Sequence, residues 1–233
     1  MENLPADRVR IEAVLLDAYG TLLDLPDPVP RLRALLAGAG HPHTHARVRR
    51  ALRAEIAYYR ANHDRGRDAD SLEALRCDCA RVLARGLGDD APPPERLAAL
   101  LVDSLRFTLF GDVVPALDAL AGAGLRLAVV SNWDCSLPGV LRDLGVAGRF
   151  EAVTVSATAG ARKPEPEIFH RALEALGIAP AAALHCGDLP HADCEGARGA
   201  GIRAVLLDRS GTLPPGPCPR IGALSDLAKW TKP

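Results

Sequence analysis

Residues 15–24 read LLDAYGTLLD. The apolar, partly β-branched run VRIEAVLL ends on Asp17, and Gly20 follows three places later. That pattern is a short buried strand stopped by a sharp turn. A strand end inside a sheet has no structural need of a carboxylate, and desolvating one without a counter-charge is costly. Asp17 therefore marks a place where chemistry, rather than packing, chose the residue.

Working outward, the pattern changes at once. From about residue 27 to 110 the apolar residues recur at helical spacing. Leu32, Leu35 and Leu36 form one stripe, and Val48, Leu52, Ile56 and Tyr59 a second. Leu72, Leu75, Val82 and Leu83 make a third, and Leu97, Leu100 and Leu101 a fourth after PPP. No strand is evident there, so the spacing predicts a small bundle of antiparallel helices joined by Gly- and Pro-containing turns.

From residue 111 onward strands alternate with single helices: VVPALDALAGAG, LRLAVVSN, a helix through Leu137–Leu144, EAVTVS, KPEPEIFHRALEALG, AALHCGD, ADCEGARGAG and RAVLLD. KPEPEIFHRALEALG has Pro and Glu in its first turn, an apolar stripe, and Gly177 at its end, which makes it the best-signalled helix in the chain. The alternation implies a parallel sheet covered on both faces, begun by the first strand and resumed after a helical insert. The expected division is 1–24 and 111–233 for the sheet-bearing core and 25–110 for the insert. SGTLPPGPCP at 210–219 reads as a surface loop before a short terminal helix.

The totals exclude several classes. The chain has 233 residues, a net charge of −1 and a hydrophobic content of 48%, with a mean hydropathy of +0.04. It has enough length for a sizeable core, no overall charge argument for nucleic acid or membrane surfaces, and no apolar run of membrane-spanning length. The opening MENLPADRVR lacks the basic-then-apolar pattern of an export signal, so a cytoplasmic chain is expected. On that basis Cys77, Cys79, Cys135, Cys186, Cys194 and Cys218 read as free thiols. CDC at 77–79 has no second pair at zinc-like spacing, and HPHTH at 41–45 reads as a solvated loop.

In open parallel sheets ligands bind beyond the carboxyl ends of the strands. Three predicted strands end in polar residues: Asp17, Ser131–Asn132 and Gly187–Asp188. As neighbours, they would converge on one crevice, and the carboxylates there would need a cation. Of the 28 basic residues, 25 are Arg and three are Lys, namely Lys163, Lys229 and Lys232. Against that bias the single internal lysine stands out.

LLDAYGT, VVSN, KPEPEIF and CGDLPHADCEGARGAGIRAVLL resemble, in this order, the four motifs of the haloacid dehalogenase superfamily of hydrolases. The helical insert resembles the four-helix cap of that superfamily's first subfamily. The resemblance spans nearly the whole chain and implies an α/β fold, a Rossmann-like parallel sheet with an inserted four-helix cap. It implies Asp17 as a nucleophile that forms an aspartyl intermediate, with Thr21 orienting it by a hydrogen bond. Ser131 and the Asn132 backbone N–H would hold a substrate oxygen. Lys163 would screen the negative charge that otherwise repels an anionic substrate; a compact ammonium fits where the broader Arg fork does not. Asp17, Asp188 and Asp193, with the backbone carbonyl of Tyr19, would ligate Mg²⁺, a hard cation that prefers oxygen.

Tyr19 departs from the phosphatase pattern, which carries a second Asp at this place to protonate the leaving alcohol and activate water. Losing a general acid–base costs about 10²–10⁴ in rate, and a phenol with a pKa of about 10 is a poor substitute at neutral pH. DAYGT is the form found in 2-haloacid dehalogenases, whose leaving halide needs no proton, yet those enzymes lack the acidic pair retained here in GDLPHAD. Phosphonate-cleaving relatives use a cap lysine, and this insert has none. SNWD resembles phosphatase-like members with degraded first motifs.

The expectation is therefore a Mg²⁺-dependent hydrolase, phosphatase-like, acting on a small anionic substrate with impaired acid–base catalysis. The alternatives are a binding or regulatory protein that kept the shape of the site, and a 2-haloacid dehalogenase-type hydrolase. No nucleic-acid or membrane partner is expected. Between residues 31 and 67 nine Arg face two acids, so Arg47, Arg49 and Arg50 are candidates for contact with an anionic substrate.

Overall fold

The computed structural model describes residues 9–231; residues 1–8, which include most of the segment read for an export signal, and Lys232 lie outside the described residues. In chain order the strands are β1 (Ala13–Leu16), β2 (Leu23–Asp24), β3 (Thr108–Leu109), β4 (Arg126–Ser131), β5 (Ala152–Val155), β6 (Ala183–Gly187), β7 (Arg203–Leu207) and β8 (Arg220–Ile221). The α-helices are α1 (Val29–Gly38), α2 (His45–Asn62), α3 (Ala69–Leu87), α4 (Pro94–Ser104), α5 (Val113–Gly122), α6 (Leu137–Asp143), α7 (Ser156–Ala159), α8 (Pro166–Leu176) and α9 (Gly196–Gly199). The chain divides into two compact units: residues up to Leu23, Leu109–Asn132 and from Pro138 onward form one, and Asp24–Thr108 with Trp133–Leu137 the other.

The first unit is built on a six-stranded sheet of order β5-β4-β1-β6-β7-β8, parallel throughout. β1 lies between β4 and β6, with Leu16 level with Val129 and Cys186. All four residues of β1 are buried, as a strand covered on both faces requires. Ala13 and Leu15 point to the layer that holds Ile168, Phe169 and Leu173 of α8 and Ala197 of α9; side chains alternate along a strand, so Val14 and Leu16 face the other side. The consequence for function is topological. The carboxyl ends of β4, β1 and β6 are adjacent, and the chain leaves them at Asn132, Asp17 and Asp188.

The second unit is a helical bundle. Val29, Leu32 and Leu36 of α1, Val48 and Leu52 of α2, Leu75, Leu83 and Leu87 of α3, and Leu97 and Leu101 of α4 pack into one buried cluster. Most residues of the expected stripes fall in or against this cluster, while Leu35 and Val82 are only half-buried. Arg47 donates through Nη1 to the carbonyl of Leu87 at 3.0 Å, satisfying an end of α3, while Arg49 and Arg50 are exposed on α2.

Two expectations are corrected. Six free thiols were expected, but Cys194 and Cys218 form a disulfide across a sequence separation of 24 residues, with Cα atoms 6.0 Å apart. Compartment reasoning from composition does not see this geometry: the parallel pairing of β6, β7 and β8 brings the turn after β6 beside the approach to β8. The helix expected at ADCEGARGAG is split. A π-helical turn covers Pro190–Glu195 and only Gly196–Gly199 is α-helical, a local widening of the kind that recurs at functional sites. The terminal helix is a 3-10 helix over Leu224–Trp230. Among the described residues no helix is long and apolar enough to cross a membrane.

Candidate active site

The site lies in the first unit, at the carboxyl ends of β4, β1 and β6. Asp17 continues β1, its N–H donating to the carbonyl of Cys186 at 3.0 Å. The chain then coils, with the N–H groups of Leu22 and Leu23 both donating to Ala18 O at 2.8 Å. This coil places Gly20, at φ +84°, against Asp188. A Cβ at Gly20 would lie 2.4 Å from Asp188 Oδ2, so both the backbone conformation and the space demand glycine. At Gly187 space alone demands glycine: a Cβ there would lie 2.1 Å from Asp193 Cγ.

Lys163 is buried and its ammonium bridges two carboxylates, 2.5 Å from Asp17 Oδ1 and 2.6 Å from Asp193 Oδ1. The backbone that carries it is clamped by Asn132, whose Nδ2 donates to Lys163 O at 2.9 Å and whose Oδ1 accepts from Lys163 N at 2.8 Å. Ser131 donates its hydroxyl to Asp17 Oδ1 at 3.1 Å. Oδ1 thus has two donors, which hold the carboxylate against rotation. Asp193 is fixed on both oxygens, Oδ1 accepting from Lys163 and from His185 Nε2 at 3.0 Å, and Oδ2 from the N–H of Leu189 at 2.9 Å.

Thr21 does not make the hydrogen bond to Asp17 expected of it. Its hydroxyl is buried without a hydrogen-bond partner, because the coil turns the Asp17 carboxylate toward Ser131 and Lys163. Thr21 contributes its carbonyl instead, which accepts from Arg209 Nη2 at 2.8 Å. Arg209 also pairs with Asp112 Oδ2 at 3.0 Å and lies 4.0 Å over the Phe110 ring, so it ties the Asp17 turn to the start of α5. Tyr19 is 41% exposed.

The electrostatics follow from crowding acids in a dry place. Oxygens of Asp17, Asp188 and Asp193 lie within 4.8 Å of one another. Burial and the charges of Asp17 and Asp193 push Asp188 up to about 7, against the pull of Lys163. Burial works against ionising Asp193, but the Lys163 ammonium and His185 overcome it and hold this carboxyl well below the usual range. Burial likewise opposes charging Lys163, and the two carboxylates override it, raising its pKa. Asp17 shares that ammonium; burial, aided by the charge of Asp193, raises it. Oδ1 of Asp188 is buried with no hydrogen-bond partner.

A buried aspartate just after β1, a serine at the end of β4, a buried lysine before α8 and an acid pair after β6 gather at the strand ends where an α/β sheet holds its ligand. The sequence matches the haloacid dehalogenase-like hydrolase family over residues 11–201, and the chain belongs to that family. It is 33% identical to the phosphoserine phosphatase of Thermus thermophilus over 85% of this chain and 89% of that protein. It is 31% identical to the glyceraldehyde 3-phosphate phosphatase of Methanopyrus kandleri, covering 85% of this chain and 84% of that one. Among solved structures, the 2-haloacid dehalogenase of Pseudomonas syringae pv. Tomato superposes with a TM-score of 0.68 at 26% identity, over 94% of this chain and 99% of that chain. The protein is thus a hydrolase of phosphatase-like kind.

The reading of the sequence missed His185, Arg209 and the side chain of Asn132 as parts of this assembly. His185 lies inside an apolar run and reads as core. Arg209 is one of many arginines. Asn132 was expected to act through its backbone, and only the fold brings residue 163 to its amide.

Proposed function

We propose that this chain is a Mg²⁺-dependent phosphatase acting on a small phosphorylated substrate through an aspartyl phosphate at Asp17. The observation that carries the reading is the ammonium of Lys163 held between Asp17 and Asp193, beside an Asp188 oxygen that has no partner. Three clustered carboxylates against one ammonium, with an orphaned buried oxygen among them, fit a hard divalent cation. Asp17 and Asp188 would hold it, with the Tyr19 carbonyl completing the set as the family resemblance implies. Asp193, which already accepts three donors, would join through its remaining Oδ2 lone pair. When bound, the ion would supply charge neutralisation at the phosphoryl oxygens.

In the first step an Asp17 oxygen bonds to phosphorus as the ester P–O bond breaks. The leaving oxygen departs with the electron pair. In the second, water attacks the same phosphorus, inorganic phosphate leaves and the carboxylate is restored. Lys163 lowers the repulsion between Asp17 and the incoming anion, and Ser131 is placed to donate to a phosphoryl oxygen. With Tyr19 where an acid would stand, leaving groups that need no proton are favoured: aryl and acyl phosphates over alkyl ones.

The test is a Mg²⁺ titration of aryl phosphate hydrolysis with Asp17→Asn as control. Activity should rise with Mg²⁺ and vanish in the control; metal-independent turnover, or turnover that survives Asp17→Asn, overturns the reading. Carbon–halogen hydrolysis is favoured by Tyr19 and opposed by the acid pair, which that chemistry does not need. It predicts halide release from 2-haloacids in the presence of a chelator.

A further inference from the structure

His185 sits in the middle of β6 and is fully buried. Its ring meets Phe169 edge-on at a centroid distance of 5.0 Å. Its Nδ1 is buried without a hydrogen-bond partner. Leaving such an atom unpaired costs stability, a cost that a leucine at the same strand position would avoid. The other nitrogen accounts for the residue: Nε2 lies 3.0 Å from Asp193 Oδ1. A carboxylate oxygen only accepts, so Nε2 carries the proton, and the apolar surroundings of Nδ1 suit that tautomer.

We infer that His185 is a positioning residue, whose Nε2–H pins Asp193 so that Asp193 in turn holds the Lys163 ammonium against Asp17. The inference rests on the phosphatase reading for its effect on turnover, and on geometry alone for its effect on Lys163. Oδ1 of Asp193 has two donors at its disposal, His185 from the core side and Lys163 from the site. Remove the first and the carboxylate keeps Lys163 and the Leu189 N–H, but loses the contact that sets its orientation on the strand side. Outer partners that orient a site's carboxylates carry about 10- to 100-fold in activity or metal affinity. The chain of contacts is His185, Asp193, Lys163, Asp17, and no member of it except Asp17 bonds covalently to substrate.

Three substitutions separate this role from simple packing. His185→Leu fills the space and deletes the donor. His185→Gln returns an N–H at the reach of Nε2, and His185→Asn places its amide at the level of Nδ1, away from Asp193. The structural readout uses the scarcity of lysine. The chain has three; of the two among the described residues, Lys229 has a side chain 75% exposed and Lys163 is locked in the core. In protein labelled with ¹⁵N-lysine, Lys163 should give a slowly exchanging Nζ resonance in wild type and in His185→Gln. It should broaden or vanish in His185→Leu and His185→Asn.

The kinetic readout is aryl phosphate hydrolysis with Mg²⁺. The expected result is a kcat about 10- to 100-fold lower in His185→Leu and His185→Asn, a KM within about 3-fold of wild type, and recovery of most of the rate in His185→Gln. A folded His185→Leu with an unchanged Nζ resonance and unchanged kcat overturns the inference, as does equal impairment of His185→Gln and His185→Asn. Absence of a slow Nζ resonance from wild type also overturns it. Should His185→Leu fail to fold, the Gln–Asn comparison decides. Should wild type hydrolyse no aryl phosphate, the functional reading fails and the resonance still judges the positioning.

Discussion

Both units bury carboxyl groups, and what each places beside them differs. In the sheet-bearing unit Asp17 and Asp193 share the Lys163 ammonium at 2.5 and 2.6 Å, and Asp193 is held well below the usual carboxylate range. In the helical unit Glu55, on the inner face of α2, is just as buried but faces no such cation among the described residues. Burial pushes it up to about 7, eased by a hydrogen bond from the Cys79 thiol. Asp134 in the same unit is kept by neutral donors, the Tyr59 hydroxyl at 2.8 Å and the Ser136 N–H at 2.8 Å. Asp193 keeps its charge because a counter-charge is built in beside it; Glu55, with none beside it among the described residues, takes up a proton more readily. Asp188 shows the limit of that counter-charge: against the pull of Lys163 it too is pushed up to about 7, so the ammonium marks Asp193 as the acid whose charge is kept for use.

The largest effect should come from removing the counter-charge. Lys163→Met keeps most of the stem and deletes the ammonium, leaving Asp17 and Asp193 buried side by side. Breaking a buried pair from one side costs about 3–5 kcal/mol, so the urea midpoint of Lys163→Met should fall by that equivalent and turnover should be lost. Adding Asp193→Asn to Lys163→Met should recover part of the stability and none of the activity. An unchanged midpoint in Lys163→Met would mean that these acids lose their charge freely, and the contrast between the units would fail.

Glu55 should give the next largest effect, and its sign is fixed by the direction of its shift. The unfolded chain releases this proton near 4.5, the folded chain near 7. Between these values the native state binds more protons than the unfolded one, so stability is fully present below about pH 4.5 and falls as pH rises to about 7. The loss across that window is on the order of 3 kcal/mol. Glu55→Gln should remove this slope. Melting wild type and Glu55→Gln from pH 5 to 8, without divalent ions, isolates Glu55 in the difference between the two curves, since Asp188 titrates alike in both. Parallel curves would show that Glu55 is ionised in the fold.

How much of this was legible in the sequence depends on contrast and on distance along the chain. Lys163 was legible because it stands alone in a sequence that otherwise chooses arginine, and α8 because Pro166, Glu167 and Gly177 punctuate it at both ends. The strand that ends in Asp17 was legible because an apolar run closing on a carboxylate breaks a packing rule. Arg209 breaks none, being one arginine among many. His185 is a lone histidine in an apolar run, where core packing is the ordinary explanation, and its contact with Asp193 exists only once β6 and the π-helical turn are formed. The Cys194–Cys218 bridge depends on the register of three strands, and no spacing rule supplies that. Thr21 is the opposite case: motif position implied a hydrogen bond, and the local coil of Ala18 to Leu23 turned its hydroxyl elsewhere.

The smallest effects test the hydroxyl donors, one in each unit. Tyr59→Phe removes the hydroxyl that Asp134 accepts and leaves that buried acid with the Ser136 N–H. Leaving a buried acceptor short of a partner costs about 1–3 kcal/mol. The phenyl ring keeps its stacking with His63, whose centroid lies 5.9 Å away, so the lower end of that range is expected. The melting temperature should drop by a few degrees, and kcat should hold. Ser131→Ala removes the hydroxyl donated to Asp17 Oδ1, but Lys163 still holds that oxygen. Its melting temperature should scarcely move, while kcat on aryl phosphates should fall by about 10-fold or more for want of a donor to the developing charge. If instead Tyr59→Phe slows turnover and Ser131→Ala only destabilises, the two units have exchanged the roles assigned to them: buried polar groups in the helical unit would serve chemistry, and those at the strand ends would serve the fold.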